Sequence, residues 1–437
     1  MSIYFGTDGI RGEVNKELNF EVCYKCGNAL SNIKENVKIV LGRDTRKSGD
    51  LIALSFSCGV VMGGGNIIDV GVIPTAGIAY LVKKLKFDYG VVISASHNPA
   101  EYNGIKIFDC NGNKIGVQEE NLIEKYFIHN NIANFKKVGT YCQKRYMTRQ
   151  YVNFLRNSSK SLKGVKIALD CSNGASGSIA PKLFRELGAK VVAINCSNNG
   201  LKINDNCGSL HPEGLSEAVV KYKCHIGFAF DGDSDRVIAV DEKGKLVDGD
   251  IITYILGCYF KKKNSLKNNG VVGTTQTNMG IIKALKKEGI DFYASDVGDK
   301  YVIELMKDKN LEIGGEQSGH IIIGRYSDTG DGVLCAIVLA NILKEEKRNF
   351  SNLAHVELMP QANKNIVVYN KLRIINADEL KQEINECENM IRDGRILVRA
   401  SGTESKIRVM VESCDEVQNT KVLDRIVRKI EQINNKY

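Results

Sequence analysis

Apolar and polar positions along the chain fall into blocks, and three of these blocks repeat one order of parts. Each opens on a β-branched run ending in a turn rich in Gly, Thr and Asn, over 38–46, 166–174 and 271–278. Helix-period patterns follow at 50–62, 178–187 and 280–288, and second apolar runs at 66–70, 190–194 and 291–294. A third short run at 90–93, 226–230 and 311–313 then leads into an unusually polar loop. Strands alternating with helices predict α/β units whose largely parallel sheets are covered on both faces. Ligand sites in such sheets gather at strand ends, so the three polar loops are expected to converge on one cleft.

The pattern changes near 366. A strand at 365–368, a helix at 377–391, strands at 395–398 and 407–411 and a helix at 415–434 predict a small α+β domain. The expected fold is therefore three similar α/β domains with mixed, mostly parallel sheets around a cleft, plus a smaller C-terminal α+β domain. The boundaries fall at 1–150, 151–250, 251–365 and 366–437.

Composition narrows the functional classes. The 437 residues are 43% hydrophobic and 25% charged, enough to bury several cores and too mixed for long disorder. The opening residues lack a signal-peptide pattern, and the apolar runs near 251–260 and 333–343 fall short of a membrane span. Thirteen cysteines at irregular spacing fit a reducing compartment, and cytoplasmic residence is expected. Cys23 and Cys26 form a lone C-x-x-C in a predicted helix, on the face of Phe20, Leu30 and Ile33. They read as small core residues, because zinc needs a second pair. The net charge of +9 is dispersed, which argues against a nucleic-acid partner and suits a small anionic substrate.

The loops carry the chemistry. In Asp231-Gly232-Asp233-Ser234-Asp235-Arg236 the carboxylates at alternate positions of a tight turn can face one hard cation. An EF-hand is the competitor, with Glu242 at loop position 12. Arg236 stands where that loop needs Gly, and the flanks read as strands. Ser94-Ala95-Ser96-His97-Asn98-Pro99 is weak alone. It gains meaning from Lys106 and from Arg11 in Thr7-Asp8-Gly9-Ile10-Arg11, because a serine, phosphate-neutralising cations and a metal make a phosphoryl-transfer kit. Glu316-Gln317-Ser318-Gly319-His320 offers partners for hydroxyl-rich ligands and a titratable imidazole. Arg399-Ala400-Ser401-Gly402-Thr403, with Arg408 on the next strand, reads as a phosphate-binding turn.

These four motifs, in this order and spacing, resemble the α-D-phosphohexomutase superfamily over essentially the whole chain. The opening Phe5 to Gly12, Gln317, Gly402-Thr403-Glu404 and Arg408 to Glu412 are most similar to its bacterial branch acting on glucosamine phosphates. The resemblance implies interconversion of glucosamine 6-phosphate and glucosamine 1-phosphate through a phosphoserine at Ser96 and a 1,6-bisphosphate, on the route to UDP-N-acetylglucosamine. Close alternatives are phosphoglucomutase or phosphomannomutase activity; the remote one is a non-catalytic phosphosugar-binding protein. The implied catalytic set is Ser96, His97, Lys106, Arg11 and His320. One Mg²⁺ per site is implied on Asp231, Asp233 and Asp235, completed by the Ser96 phosphate, with a sugar 1,6-bisphosphate as activator. Arg236, Glu316, Ser318, Arg399, Ser401, Gly402, Thr403 and Arg408 would bind the phosphosugar. No nucleic-acid or membrane partner is implied; a homodimer is left open.

Overall fold

The computed structural model describes residues 4–6, 8–129, 137–401 and 405–435. It divides into two compact units. The first runs to Thr277 and includes Glu288–His355; the second is Asn278–Lys287 with Val356 onward.

The first unit holds three sheets. In the largest, strands Tyr102–Phe108, Tyr89–Ile93, Lys38–Arg43 and Asn66–Val72 lie side by side in that order. Phe5–Gly6 and Gly9–Glu13 extend one edge, and Thr140–Gln143 the other. In the second sheet Val237–Asp241, Ile226–Phe230, Lys166–Asp170 and Lys190–Ile194 follow the same order, with Leu246–Val247 at the edge. In the third, Ile321–Ile323, Ile313–Gly315, Gly270–Thr274 and Asp291–Ser295 repeat it. The sequence repeat is thus a topological repeat. First, second and third strands are parallel, and a fourth turns back antiparallel on the third. Each polar loop is the connection between the third and fourth strands.

The central strands are apolar almost without interruption, as expected where helices cover both faces. All five residues of Ile226–Phe230 and of Val237–Asp241 are buried. The apolar run at 333–343 forms helix Gly332–Glu346, which is buried on nearly every side and capped by the Asp331 carboxylate on the Leu334 N–H. No described helix is long and apolar enough to cross a membrane.

Helix Phe20–Ile33 buries Cys23 and Cys26 in the core of the first sheet, as expected. Phe20 does not join them. It begins the helix, is 64% exposed, and stacks on Tyr24. Val22 and Cys23 of the same turn are buried, so the helix turns those side chains inward and leaves Phe20 at its exposed margin.

The second unit is a three-stranded antiparallel sheet in which Lys406–Glu412 lies between Gln361–Val367 and Arg395–Ala400. Helices Lys371–Ile375, Asp378–Glu388 and Glu416–Asn435 accompany it. Ile407, Val409 and Val411 pack on Val422, Ile426 and Ile430 of the last helix to form its core. Helix Met279–Lys287 belongs to this unit; the Met279 N–H donates to Glu412 Oε1 at 2.8 Å.

Candidate active site

The hairpin from Tyr89–Ile93 to Tyr102–Phe108 carries Ser96. Its φ is +53°, a left-handed conformation that costs a non-glycine residue roughly 1–2 kcal/mol. Surrounding bonds hold it there. Ser96 N–H donates to Ser94 Oγ at 2.9 Å, and Ser94 Oγ donates to Asp44 Oδ2 at 2.6 Å. The Ser96 carbonyl accepts from Arg46 Nη2 at 3.0 Å and Asn204 Nδ2 at 2.9 Å. The same guanidinium reaches the carbonyls of Asn98 (2.7 Å), Tyr102 (2.8 Å) and Pro99, and pairs with Asp44 at 2.9 Å. The loop is therefore fixed by a fully buried Arg–Asp pair, and Ser96 Oγ points at Asp231 Oδ2, 2.5 Å away.

The hairpin from Ile226–Phe230 to Val237–Asp241 supplies that carboxylate. Asp231 and Asp233 are fully buried and Asp235 nearly so. One oxygen from each lies within 4.8 Å of the others. Lys106 Nζ stands among them, 2.7 Å from Asp233 Oδ2, 2.9 Å from Asp235 Oδ2 and 3.0 Å from Asp8 Oδ2. Thr75 adds its hydroxyl to Asp233 Oδ2 at 2.6 Å. The other oxygens, Asp233 Oδ1 and Asp235 Oδ1, are buried with no hydrogen-bond partner among the described residues. Buried acceptors normally find a donor. Orphaned hard oxygens on neighbouring acids fit a divalent cation such as Mg²⁺. The flanks are strands, and Glu242 accepts from Ser351 N–H and Oγ, so it does not complete an EF-hand loop.

Charge in this pocket is strongly polarised. Burial, then Asp235 and Asp233, push the Asp231 carboxyl well above its usual range. Burial pushes Asp235 up too, but Lys106 and His320 outweigh it and hold it low. Burial would strip the Lys106 proton, but Asp233, Asp235 and Asp8 keep it charged. Burial, then Arg236 and Arg11, lower His97 to about 3, so this imidazole, 3.3 Å from Ser96 Oγ, is neutral.

The third hairpin, Ile313–Gly315 to Ile321–Ile323, brings His320 to the same place. A backbone bridge joins His320 to Arg236, and the Val237 N–H donates to the Gly319 carbonyl at 2.9 Å. The imidazole is 4% exposed. Its Nδ1 lies 3.9 Å from Asp235 Oδ1 and its Nε2 3.6 Å from Asp299 Oδ2. Gly330 lies under the ring, where a Cβ would sit 2.4 Å from Nε2. Glu316 Oε1 accepts from the Gly298 N–H at 3.0 Å, while Ser318 is exposed beside it. Arg11 pairs with Asp8 and reaches Asn98 Oδ1 at 3.4 Å. Lys114 bridges Asp8 and Asp299.

Ser96, His97, Lys106, Arg11, Asp231, Asp233, Asp235, Arg236, Glu316 and His320 thus belong to one set of connected loops. Arg399, Ser401 and Arg408 lie in the second unit. There Arg399 and Arg408 sit directly opposite each other across two strands, and Ser401 N–H donates to the Lys406 carbonyl at 2.8 Å. Gly402 and Thr403 lie outside the described residues. The sequence did not single out Asp8, Asp44, Arg46, Thr75, Lys114, Asn204 or Asp299. Asp8 had a local signal in its place beside Arg11, and Asp44 and Arg46 in theirs within the strand-end turn of the first repeat.

Comparison with known proteins accords with this arrangement. Four family profiles match in order. The phosphoglucomutase/phosphomannomutase alpha/beta/alpha domains I, II and III match 2–132, 146–244 and 248–359. The C-terminal domain of the same proteins matches 364–429. A phosphoglucosamine mutase of Carboxydothermus hydrogenoformans is 44% identical over 443 residues, spanning 99% of this chain and 100% of the relative. One from Clostridioides difficile is 43% identical over 451 residues, covering 99% of each. Among solved structures, a phosphoglucomutase/phosphomannomutase family protein from Burkholderia thailandensis superposes with a TM-score of 0.84 at 23% identity, over 99% and 97% of the two chains. An N-acetylglucosamine-phosphate mutase in its product complex gives 0.70 at 16% identity, over 98% and 96%.

Proposed function

The chain belongs to the phosphoglucomutase/phosphomannomutase family, and on that premise we propose that it interconverts glucosamine 6-phosphate and glucosamine 1-phosphate. The observation that carries the mechanism is the Ser96 hydroxyl, buried and 2.5 Å from Asp231 in a loop held rigid from behind. Ser96 is the phosphate carrier in this reading, and the cycle passes through a 1,6-bisphosphate.

A Mg²⁺ on Asp231, Asp233 and Asp235 would supply charge neutralisation for the phosphoryl group on Ser96. The chain's own residues do the rest. Phosphoryl transfer needs little covalent help, so positioning and cationic surroundings dominate. Arg46 and Asn204 fix the backbone that aims Ser96. Lys106, Arg11 and Arg236 supply positive charge around it, and His97 stands 3.3 Å from its hydroxyl as a neutral ring. His320, held between Asp235 and Asp299, is our candidate to move the sugar hydroxyl's proton. Glu316 and Ser318 are read as partners of the sugar hydroxyls.

In the second unit, taken by itself, Arg399, Ser401, Gly402, Thr403 and Arg408 are read as a phosphate site. Directly opposite each other on neighbouring strands, Arg399 and Arg408 put two guanidinium groups on one face, which suits a phosphate. Four domains bounded near 150, 250 and 365, a bisphosphate activator, a cytoplasmic setting and a place on the route to UDP-N-acetylglucosamine complete the reading.

The test compares rates on glucosamine, glucose and mannose 6-phosphates with Mg²⁺ and a trace of bisphosphate. A dominant rate on glucose or mannose phosphate would overturn the sugar assignment. Ser96→Ala should lose turnover and keep its fold; full activity in that variant would sink the carrier role.

A further inference from the structure

Behind the Ser96 and Asp231 loops lies a pair of thiols that the proposed mechanism does not use. Strands Lys166–Asp170 and Lys190–Ile194 run parallel in register, with Asp170 opposite Ile194. Cys171 is the first residue past one strand, and Cys196 the second past its neighbour. Both turns meet at one carbonyl: Ile194 O accepts the Cys171 N–H at 3.3 Å and the Cys196 Sγ–H at 3.0 Å. The two thiols lie close enough to shift each other's ionisation. Cys196 lies one residue beyond the position opposite Cys171, so a spacing of about 4.8 Å across and about 3.3 Å along puts the two Cα atoms roughly 6 Å apart, within the separation that a disulfide spans.

The members of the pair differ in a useful way. Cys171 is fully buried and Cys196 half-buried. The neighbouring Cys171 thiol lowers Cys196, while Cys196, with burial, raises Cys171. Thiolate character and access therefore both belong to Cys196. A third thiol, Cys207, stands 3.9 Å from Asn173 Nδ2, and burial holds it up at about 12.

We propose that Cys171 and Cys196 form a reversible disulfide that slows turnover at the Ser96 loop. The oxidant is a peroxide. The Cys196 thiolate attacks a peroxide oxygen, giving a sulfenic acid and, with hydrogen peroxide, hydroxide. The Cys171 sulfur then displaces that hydroxyl as water, and the S–S bond forms. Together two thiols and one hydrogen peroxide become a disulfide and two waters. Two equivalents of a small thiol reverse it.

The link to Ser96 is short. Asn173, two residues past Cys171, accepts at Oδ1 from Ser197 Oγ (2.7 Å) and Ser197 N–H (3.2 Å), next to Cys196. Its carbonyl accepts from Thr45 Oγ1 at 2.6 Å. The Ser172 carbonyl accepts the Asn204 N–H at 3.0 Å, and the Asn204 side chain grips the Ser96 carbonyl. Ser172 and Asn173 already hold left-handed backbones, at φ of +49° and +52°, so this turn has little slack. Drawing the sulfurs to bonding distance pulls on it directly.

The experiment treats the full-length protein with hydrogen peroxide, maps disulfides by non-reducing peptide mass spectrometry, and follows mutase rate before and after dithiothreitol. The expected result is a cross-link between the Cys171 and Cys196 peptides with roughly tenfold slower turnover. Dithiothreitol should restore both, and Cys196→Ser should abolish both responses. Cys196 is half-buried and outside the catalytic set, so this variant avoids the folding risk of Cys171→Ser. A Cys196–Cys207 link, sulfinic acid on Cys196 without a link, or a cross-linked protein of undiminished rate overturns the proposal. The mapping needs no turnover. A reduced protein inactive on every phosphosugar would count against the function proposed above, while the cross-link is still read.

Discussion

Gly232 sits between Asp231 and Asp233 of the proposed metal-binding turn, and replacing it with alanine tests whether Ser96 is positioned from behind. A Cβ there would lie 2.6 Å from the Ser96 carbonyl oxygen, 2.8 Å from Ile203 Cδ1 and 3.1 Å from Asn204 Nδ2. Ile203 can swing its terminal methyl. The carbonyl cannot yield so easily, because Arg46 and Asn204 both bind it. It is about 0.8 Å inside the 3.4 Å at which ordinary contact begins. A shift of that size stretches the Asn204 bond beyond hydrogen-bond reach and moves Ser96 off Asp231. Overpacking of this kind costs about 1–3 kcal/mol of stability. A misplacement approaching 1 Å costs about 10–100-fold in turnover, or roughly 1.4–2.7 kcal/mol of barrier. Urea denaturation and a mutase assay on glucosamine 1-phosphate measure the two effects separately. Because Asn204→Ala acts on the same carbonyl, the double variant should lose less than the sum of the singles. A Gly232→Ala enzyme within twofold of the parent rate, with an unshifted urea midpoint, would refute the account.

Three further outcomes are expected. Arg46→Ala leaves Asp44 buried without its cation and should lower the unfolding free energy by about 3–5 kcal/mol in urea; a loss below about 1 kcal/mol would mean the pair is not what holds the loop. Asp233→Asn removes a proposed Mg²⁺ ligand and should weaken Mg²⁺ binding, read by calorimetry, by more than roughly tenfold, since even outer-shell losses reach that size; unchanged affinity would place the cation elsewhere. Burial pushes the Asp331 carboxyl from 3.8 up to about 6, so the folded state holds a proton that the unfolded chain releases between those values. The associated stability is complete below pH 4 and lost as pH rises through 6, roughly 3 kcal/mol at most. Urea midpoints of the parent should therefore fall over that window relative to Asp331→Asn, and parallel curves would contradict the assignment.

The threefold repeat was legible because each unit repeats a β-branched run, a helix-period run and a polar loop at similar spacing. The polar loops stood out because residues such as Asp231, Asp233 and Asp235 are costly to bury without a purpose. The supports of those loops were not legible. Arg46 meets Ser96 across 50 residues, Thr75 meets Asp233 across 158, and Asn204 meets Ser96 across 108. Nothing local in a Lys-Ser or Asn-Asp neighbourhood marks such partners. Strand Gln361–Val367 begins before the expected 365 because Gln361, Asn363, Lys364 and Asn365 show no apolar alternation, as suits an edge strand. Phe20 was placed inside by periodicity, which assigns a face but not how far its neighbours cover the end of a helix.

The guanidinium of Arg46 reaches the carbonyls of Ser96, Asn98, Pro99 and Tyr102 from one buried position. A segment tied this way has no opening of its own. To free any one amide it must expose the Arg–Asp pair, and that happens only when the surrounding sheet comes apart. The loop around Ser96, though it connects two strands and carries reactive chemistry, should exchange its amide hydrogens and admit proteases on the timescale of global unfolding. Its readiness is set once, when the chain folds, rather than recovered at each turnover.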